Sequence, residues 1–332
     1  MKELIPEGGQ FYKVNMHSHT DISDGRQTPQ QIKETFKALG YSAVCFTDHE
    51  VLIGHQDLAD EDFIPLHGYE VCIKRDQSIH TAWFQPVYHF NFIAKEPDNL
   101  RMPMFYEFNR SWPGNSESWA RKEGVFTDTI DTTHYSIPWI NDYLAEVEKS
   151  GYLINYNHPE WSLQGPADYL GLEHVHSIEL INSGCLDLND NTAFHYQALL
   201  RQGRHMVPTA GDDNHRQAGC GFGWTMLKAP ELSYQALIKA YEQGHCYVSE
   251  GPEILSLVLD GDKIRIRTSP ARSVTLLSQG RYVQQVKDDT CQLTEAEFDY
   301  CPQKMGTFFR LEVRDEKGNK AFSNAYWTKD LA

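Results

Sequence analysis

The first 250 residues alternate short apolar runs with amphipathic stretches of helical period. Val14-Asn15-Met16 leads into His17, and Thr28-Pro29-Gln30-Gln31 then reads as a helix start. Thr28 is the N-cap, Pro29 occupies the first helical position, and Gln31 closes a capping box. Ile32, Phe36 and Leu39 fall at i, i+4 and i+7 on one face, and Gly40 is placed to end the helix in the left-handed region. Residues 41–46 follow as a buried strand ending at Asp48-His49.

The same pattern recurs downstream. Ile137, Ile140, Leu144 and Val147 mark a helix stopped by Gly151, and residues 152–156 form a strand ending at Asn157-His158. Residues 177–181 read as a short strand, 191–202 as a helix stopped by Gly203, and 206–209 as a strand running into Gly211-Asp212-Asp213-Asn214-His215. Ser233 caps a further helix that Gly244 ends. Repeated strand–helix units predict a parallel sheet or barrel.

Near Gly251-Pro252 the texture changes to period-two alternation, as in residues 263–267 and 309–314, with a turn at 315–319. The division expected is therefore a barrel over 1–250 and a small antiparallel, β-sandwich-like domain over 251–332. Residues 95–136 fit neither texture. Phe105, Tyr106, Trp112 and Trp119 lie among prolines and glycines there, which reads as a long insertion, a lid over a site.

Composition narrows the class. With 40% hydrophobic and 23% charged residues the chain can bury a core. It has no apolar run long enough to span a bilayer and no apolar signal-like start, so a cytoplasmic protein without a membrane partner is expected. Seven cysteines form no CxxC pair, which argues against a zinc ribbon. A net charge of −16 argues against a nucleic-acid partner beyond nucleotides or short oligonucleotides. It leaves a small anionic substrate open, because bound metal ions would reverse the local potential. Oligomeric state is not legible.

Fifteen histidines are the unusual feature. His17 and His19, at i and i+2, face the same way on an extended chain and can reach one metal. Asp24 follows in a turn, His49 sits at a strand end, and Glu70 follows Gly68-Tyr69. Singly each is bland: a turn aspartate is usually a turn former and a glutamate is usually solvated. Position changes this. His17, His19, His49, His158, Asp213 and His215 all fall at or just after the C-terminal ends of expected strands, which converge on one face of a (β/α) barrel.

These pieces resemble the PHP family, named for polymerase and histidinol phosphatase. The resemblance rests on His17-Ser18-His19-Thr20 with Ser23-Asp24-Gly25, Thr47-Asp48-His49, Gly68-Tyr69-Glu70, His89, Asn157-His158-Pro159, and Gly211-Asp212-Asp213-Asn214-His215. It spans roughly residues 12–250. It implies a distorted (β/α)7, TIM-like barrel holding two or three divalent ions (Mn, Zn or Fe). The implied ligands are His17, His19, Asp24, His49, Glu70, His89, His158, Asp213 and His215, with Asp213 selected over Asp212 by the GxDxH pattern and His89 over His80 by the strand pattern.

The activity implied is that of a phosphoesterase cleaving a small phosphomonoester or nucleotide by a metal-activated hydroxide. In this reading Glu70 bridges two ions and either Asp213 or a nearby histidine manages the proton, a role the sequence does not assign. Arg26 and Arg216 are candidate anion binders, as is Arg110, each against an ordinary surface salt bridge. Asp48 is expected to orient a ligating imidazole or to cap the next turn. His134 is a candidate substrate contact at the end of the presumed lid. His55, His67, His174, His176, His195, His205 and His245 read as packing or surface residues. Two other functions stay open: carbamate or amide hydrolysis on the same scaffold, and a metal-binding module that turns nothing over.

Overall fold

The structure, a computed structural model, describes residues 1–75, 85–103, 135–185 and 192–331. Most of the expected lid, with Phe105, Tyr106, Arg110, Trp112, Trp119 and His134, lies outside the described residues, as does His80.

The strands in chain order are β1 (Lys2–Glu3), β2 (Gln10–Asn15), β3 (Ala43–Phe46), β4 (Ile64–Lys74), β5 (Val87–Ala94), β6 (Tyr152–Tyr156), β7 (Ser177–Asn182), β8 (Val207–Gly211), β9 (Trp224–Ala229) and β10 (Cys246–Ser249). They continue with β11 (Ile254–Asp260), β12 (Lys263–Ala271), β13 (Ser273–Ser278), β14 (Val283–Lys287), β15 (Leu293–Asp299), β16 (Phe308–Arg314), β17 (Lys320–Ser323) and β18 (Tyr326–Trp327). The result is a mixed α/β fold with one large sheet and few helices.

The large sheet runs β14-β13-β16-β17-β10-β9-β2-β3-β4-β5-β6-β7-β8, and β1-β11-β12-β15 form a second sheet. The first is not parallel throughout. Parallel ladders join β2 to β3, β3 to β4, β6 to β7 and β7 to β8, but β5 is antiparallel to both neighbours. A parallel pair requires a crossover of a dozen or more residues, usually helical, and no helix lies between β4 and β5 among the described residues. Alternation of strand and helix in the sequence therefore overstated the parallel character. One end of the path, β8, approaches β2 in its middle: Met16 N–H donates to Ala210 O (3.3 Å), Asp213 N–H donates to His17 O (3.0 Å), and Ser18 and Asn214 form an isolated bridge.

Helix boundaries follow the local chemistry. Helix Pro29–Ala38 opens on the reciprocal bonds of the capping box, Gln31 N–H to Thr28 Oγ1 (3.2 Å) and Thr28 N–H to Gln31 Oε1 (2.9 Å). It closes in a Schellman turn, Tyr41 N–H to Phe36 O and Gly40 N–H to Lys37 O, with Gly40 at φ +78°. Ile32 and Phe36 are fully buried, whereas Leu39 is 43% exposed. The expected third apolar position fails because the helix ends at Ala38 and the cap turns Leu39 off the buried face. Helices Thr192–Arg201 and Tyr234–Glu242 end in the same motif, at Gly203 and Gly244.

Beyond residue 250 the strands pair antiparallel, as the alternation predicts. Two ladders tie this part to the rest. β10 pairs with β17, and β1, from the chain's start, pairs with β11, with Leu4 and Ile5 joining the apolar cluster of Leu257, Ile264 and Phe309. A long-range β ladder leaves no local mark in either of its segments, so neither pairing was expected.

His55 and His67, read from sequence as packing residues, are buried neighbours, with His55 N–H donating to His67 Nε2 at 3.1 Å. Burial lowers both pKa values from 6.5 to about 4. The unfolded chain thus takes up protons as pH falls through 6.5, while the fold resists until about 4, and stability falls within that window. The expected cost is on the order of 2 kcal/mol per histidine at pH 5 relative to pH 7.5. Urea unfolding at the two pH values checks it: His67→Gln should show a smaller pH 7.5-to-5 loss than the parent, and an equal loss refutes the assignment.

Candidate metal centre

Strand ends build the site. His17 and His19 follow β2, His49 follows β3, Glu70 lies within β4, His89 within β5, His158 follows β6, and Asp213 and His215 follow β8. Only Asp24 comes from a turn beyond a strand end, and Asp48 fixes that turn. Asp48 accepts hydrogen bonds from Thr20 N, Thr20 Oγ1 and Ser23 Oγ, each at 2.7 Å. Of its two expected roles, Asp48 thus takes the turn-holding one; its carboxylate bonds no imidazole.

The structure brings all nine expected side chains together, in four overlapping groups: His19-Asp24-His49-His215, His17-His19-Glu70, His17-His158-Asp213 and Glu70-His89-His158. Glu70 is the hub. Its Oε2 lies 3.4 Å from His17 Nε2, 3.4 Å from His19 Nε2 and 3.2 Å from His49 Nδ1, and its Oε1 lies 2.9 Å from His89 Nδ1 and 3.3 Å from His158 Nε2. Asp213 Oδ1 lies 2.9 Å from His19 Nε2 and 3.4 Å from His17 Nε2. Asp24 Oδ2 meets His215 Nε2 at 3.2 Å, and this end is the open one, with side-chain exposures of 23% and 39%.

A further layer was not singled out from sequence. Glu179, buried in β7, takes His17 Nδ1 at 3.0 Å through Oε1, and its Oε2 accepts His158 N–H (3.2 Å) and Asn182 Nδ2 (2.9 Å). A carboxylate on Nδ1 fixes the His17 tautomer, so that Nε2 offers its lone pair to the cluster. Asn157 Nδ2 donates to Glu70 Oε1 (2.7 Å), and Asn182 Nδ2 donates to Asp213 Oδ2 (3.2 Å). The half-buried Trp161 packs its ring on His89 and His158, at centroid distances of 5.3 and 5.1 Å. One signal for Glu179 was present: a glutamate inside an apolar strand run has to be paired or bound. Asp212, rejected by the GxDxH pattern, lies outside all four groups; it accepts Ser183 Oγ and the N–H groups of Gly221, Phe222 and Gly223.

Electrostatics show what the cluster lacks. Burial pulls the His17 pKa down, but Asp213, Glu70 and Glu179 outweigh it and hold it well above 6.5. Burial likewise opposes His19, which Asp213 and Glu70 raise to about 10. His49, whose ring stacks 4.4 Å from that of His19, is pushed down to about 3, mainly by burial. Burial works to raise the carboxyl pKa values of Glu70 and Asp213, yet the surrounding imidazoles hold both well below the usual range. His17 Nε2 and His19 Nε2 face each other at 3.1 Å, and the buried His19 Nδ1 has no hydrogen-bond partner. Lone-pair donors crowded around carboxylates at such distances fit divalent cations: imidazole and carboxylate are hard-to-borderline ligands suited to Mn, Fe or Zn.

Close backbone approach completes the site. A Cβ on Gly211 would stand 2.5 Å from His17 Cβ and 2.8 Å from His17 N. Gly211→Ala is expected to cost about 2–3 kcal/mol through overpacking that cannot relax without moving His17. Metal content and the urea midpoint should fall together, and an unchanged midpoint would count against this packing.

Arg26 and Arg216 stand apart from the nine. Both are exposed, and they line one surface cavity with residues of helix Pro29–Ala38.

Sheet and site together define a metal-ligand cluster assembled at the ends of strands in a mixed α/β protein. Residues 15–155 match the family model described as PHP domain. Among solved structures, the chain is similar to a two-domain protein from Bacteroides vulgatus containing a predicted PHP-like metal-dependent phosphoesterase (15% identity, 95% of this chain and 94% of that one, TM-score 0.47). It is also similar to an amidohydrolase from Chromobacterium violaceum (16% identity, 70% of this chain and 96% of that one, TM-score 0.40). No curated protein matches the chain.

Proposed function

We propose that this chain is a metal-dependent hydrolase that cleaves a small phosphomonoester or nucleotide, using two or three divalent ions of the Mn, Zn or Fe type. The observation that carries the reading is Glu70, a buried carboxylate within 3.4 Å of five imidazoles. The PHP domain match over residues 15–155 supports it. The barrel expected from the resemblance is part of the same proposal, supported by the backbone bonds that draw β8 towards β2.

The nine residues His17, His19, Asp24, His49, Glu70, His89, His158, Asp213 and His215 would hold the ions. When bound, such ions supply Lewis acidity and a water activated near neutral pH. The chain's own contributions are positional. Glu179 holds His17, and Asn157 and Asn182 orient the oxygens of Glu70 and Asp213. Either Asp213, with 13% of its side chain exposed, or a neighbouring histidine would handle the proton. The acidic chain still accepts an anion here, because bound cations reverse the local sign.

The test is phosphate release from a panel of phosphomonoesters, phosphodiesters and nucleotides by protein reconstituted with Mn or Zn. Release that a chelator stops supports the proposal. A metal-loaded protein that releases no phosphate overturns the phosphoester reading and turns the test to carbamates and amides. Chelation that only unfolds the protein, with no turnover on any of these, points to a non-catalytic metal module.

A further inference from the structure

We infer that Arg26 and Arg216 form a second anion subsite beside the metal centre, and that the substrate therefore carries a second anionic group away from the bond that is cut. This inference rests on the hydrolase reading above and adds the substrate's charge pattern to it.

Two loops meet at the open end of the centre. Arg26 lies two residues beyond Asp24, and Arg216 directly follows His215. The contact of Asp24 Oδ2 with His215 Nε2, at 3.2 Å, clasps the loops together. It brings two arginines distant in sequence to one surface cavity of about 820 Å³. Gln27, Gln31 and Gln217 add amide groups to its lining, which includes none of the nine candidate ligands.

The charge balance of the cavity is opposite in sign to that of the whole chain. Net charge is −16, yet the lining holds two guanidinium groups against one carboxylate, Glu34. Glu34 Oε1 already accepts Gln30 Nε2 at 2.9 Å. Nearby Lys37, on the same helix, is neutralised by Asp60 at 2.9 Å. No ion pair holds Arg26 or Arg216 among the described residues. Arg265, by contrast, is held by Glu297 and Asp260. A planar fork of donors without a partner matches a carboxylate or phosphate.

Separation from the metal ligands decides which anion is meant. Positive charge at the centre and guanidinium groups in the neighbouring cavity would together favour a ligand with an anionic group at each. One group is the scissile phosphoryl. The other sits on the part of the substrate that leaves, or that remains attached after cleavage. In this arrangement Arg26 and Arg216 select the substrate and do not touch the reacting phosphorus, unlike the anion-binding role first expected of them.

The test uses ω-carboxyalkyl phosphates of increasing chain length, each against the alkyl phosphate of the same length, with metal-reconstituted full-length protein. At the length that spans the two sites, the carboxylated ester is expected to lead in kcat/KM by about tenfold, the scale of one charge-assisted hydrogen bond at a partly exposed position. The lead should come through KM. In R26Q/R216Q the ratio should fall toward one, and R26K/R216K should keep part of it. No preference at any length, or a preference that survives R26Q/R216Q, overturns the inference. If the parent hydrolyses neither ester, the phosphoester reading is what fails, and calorimetric binding of the carboxyalkyl phosphates still reads the subsite. Weaker binding in R26Q/R216Q then supports the subsite, and equal binding overturns it.

Discussion

Glu70→Gln is expected to reduce turnover at least about a thousandfold, because it removes a charge that positions several kcal/mol of electrostatic stabilisation. The substitution preserves shape and one acceptor, so Asn157 Nδ2 can still donate to position 70 and the strand should stay in place. What it removes is the negative charge that five imidazoles surround. Two of those imidazoles, His17 and His19, are held in a cationic state partly by Glu70 in the metal-free protein, so the same charge is what would attract a cation. Metal content measured after dialysis should therefore fall alongside kcat/KM. Glu179→Gln, one layer out, is expected to cost about 10- to 100-fold, since it loosens the His17 tautomer without removing a ligand. A Glu70→Gln protein that kept its metals and its turnover would remove the centre from the account of function.

How far the site could be read before the structure depended on where the information lies. A strand end is a local event: an apolar run stops, and the residue after it is known. His17, His49, His158 and Asp213 could be placed on one rim from that alone, because strand ends converge whatever the loops do. Helix Pro29–Ala38 was legible for the same reason, as its cap is written in four consecutive residues. The supporting layer was not legible. Glu179 meets His17 across 162 residues, and nothing near either position in the chain announces the pair. Asp48 was read as a neighbour of imidazoles because it precedes His49, yet its side chain is satisfied by Thr20 and Ser23 in another loop. Sheet direction failed at β5, which pairs antiparallel with β4 and with β6 even though helix Ile137–Lys149 lies between β5 and β6. The two arginines were chosen for their proximity to ligands in sequence. The structure places both on one surface cavity whose lining includes none of the nine candidate ligands.

Stripping the divalent ions should lower unfolding stability by about 4 kcal/mol or more, the linkage expected for a ligand present at about a thousand times its Kd. The Tm is expected to drop by roughly 5–10 °C for a chain of this size. The physical reason is the number of buried ionisable groups that only a cation can reconcile. Without one, protons on His17 and His19 stand in for the missing charge, while His49, stacked on His19, stays neutral. The loss should also be localised. His19 N–H donates to Asn214 O, Asp213 N–H to His17 O, and Thr47 N–H to Ser18 O. These bonds hold the ligand loops to one another, so amide exchange in the metal-free protein should accelerate there first. Strands β11–β17 lie in a different part of the core and should keep their protection. Chelation that leaves the Tm and these amides unchanged, with metal removal verified, would contradict a metal centre at this position. Wholesale loss of protection would instead mean that the ions hold the whole fold together, as in small metal-nucleated domains.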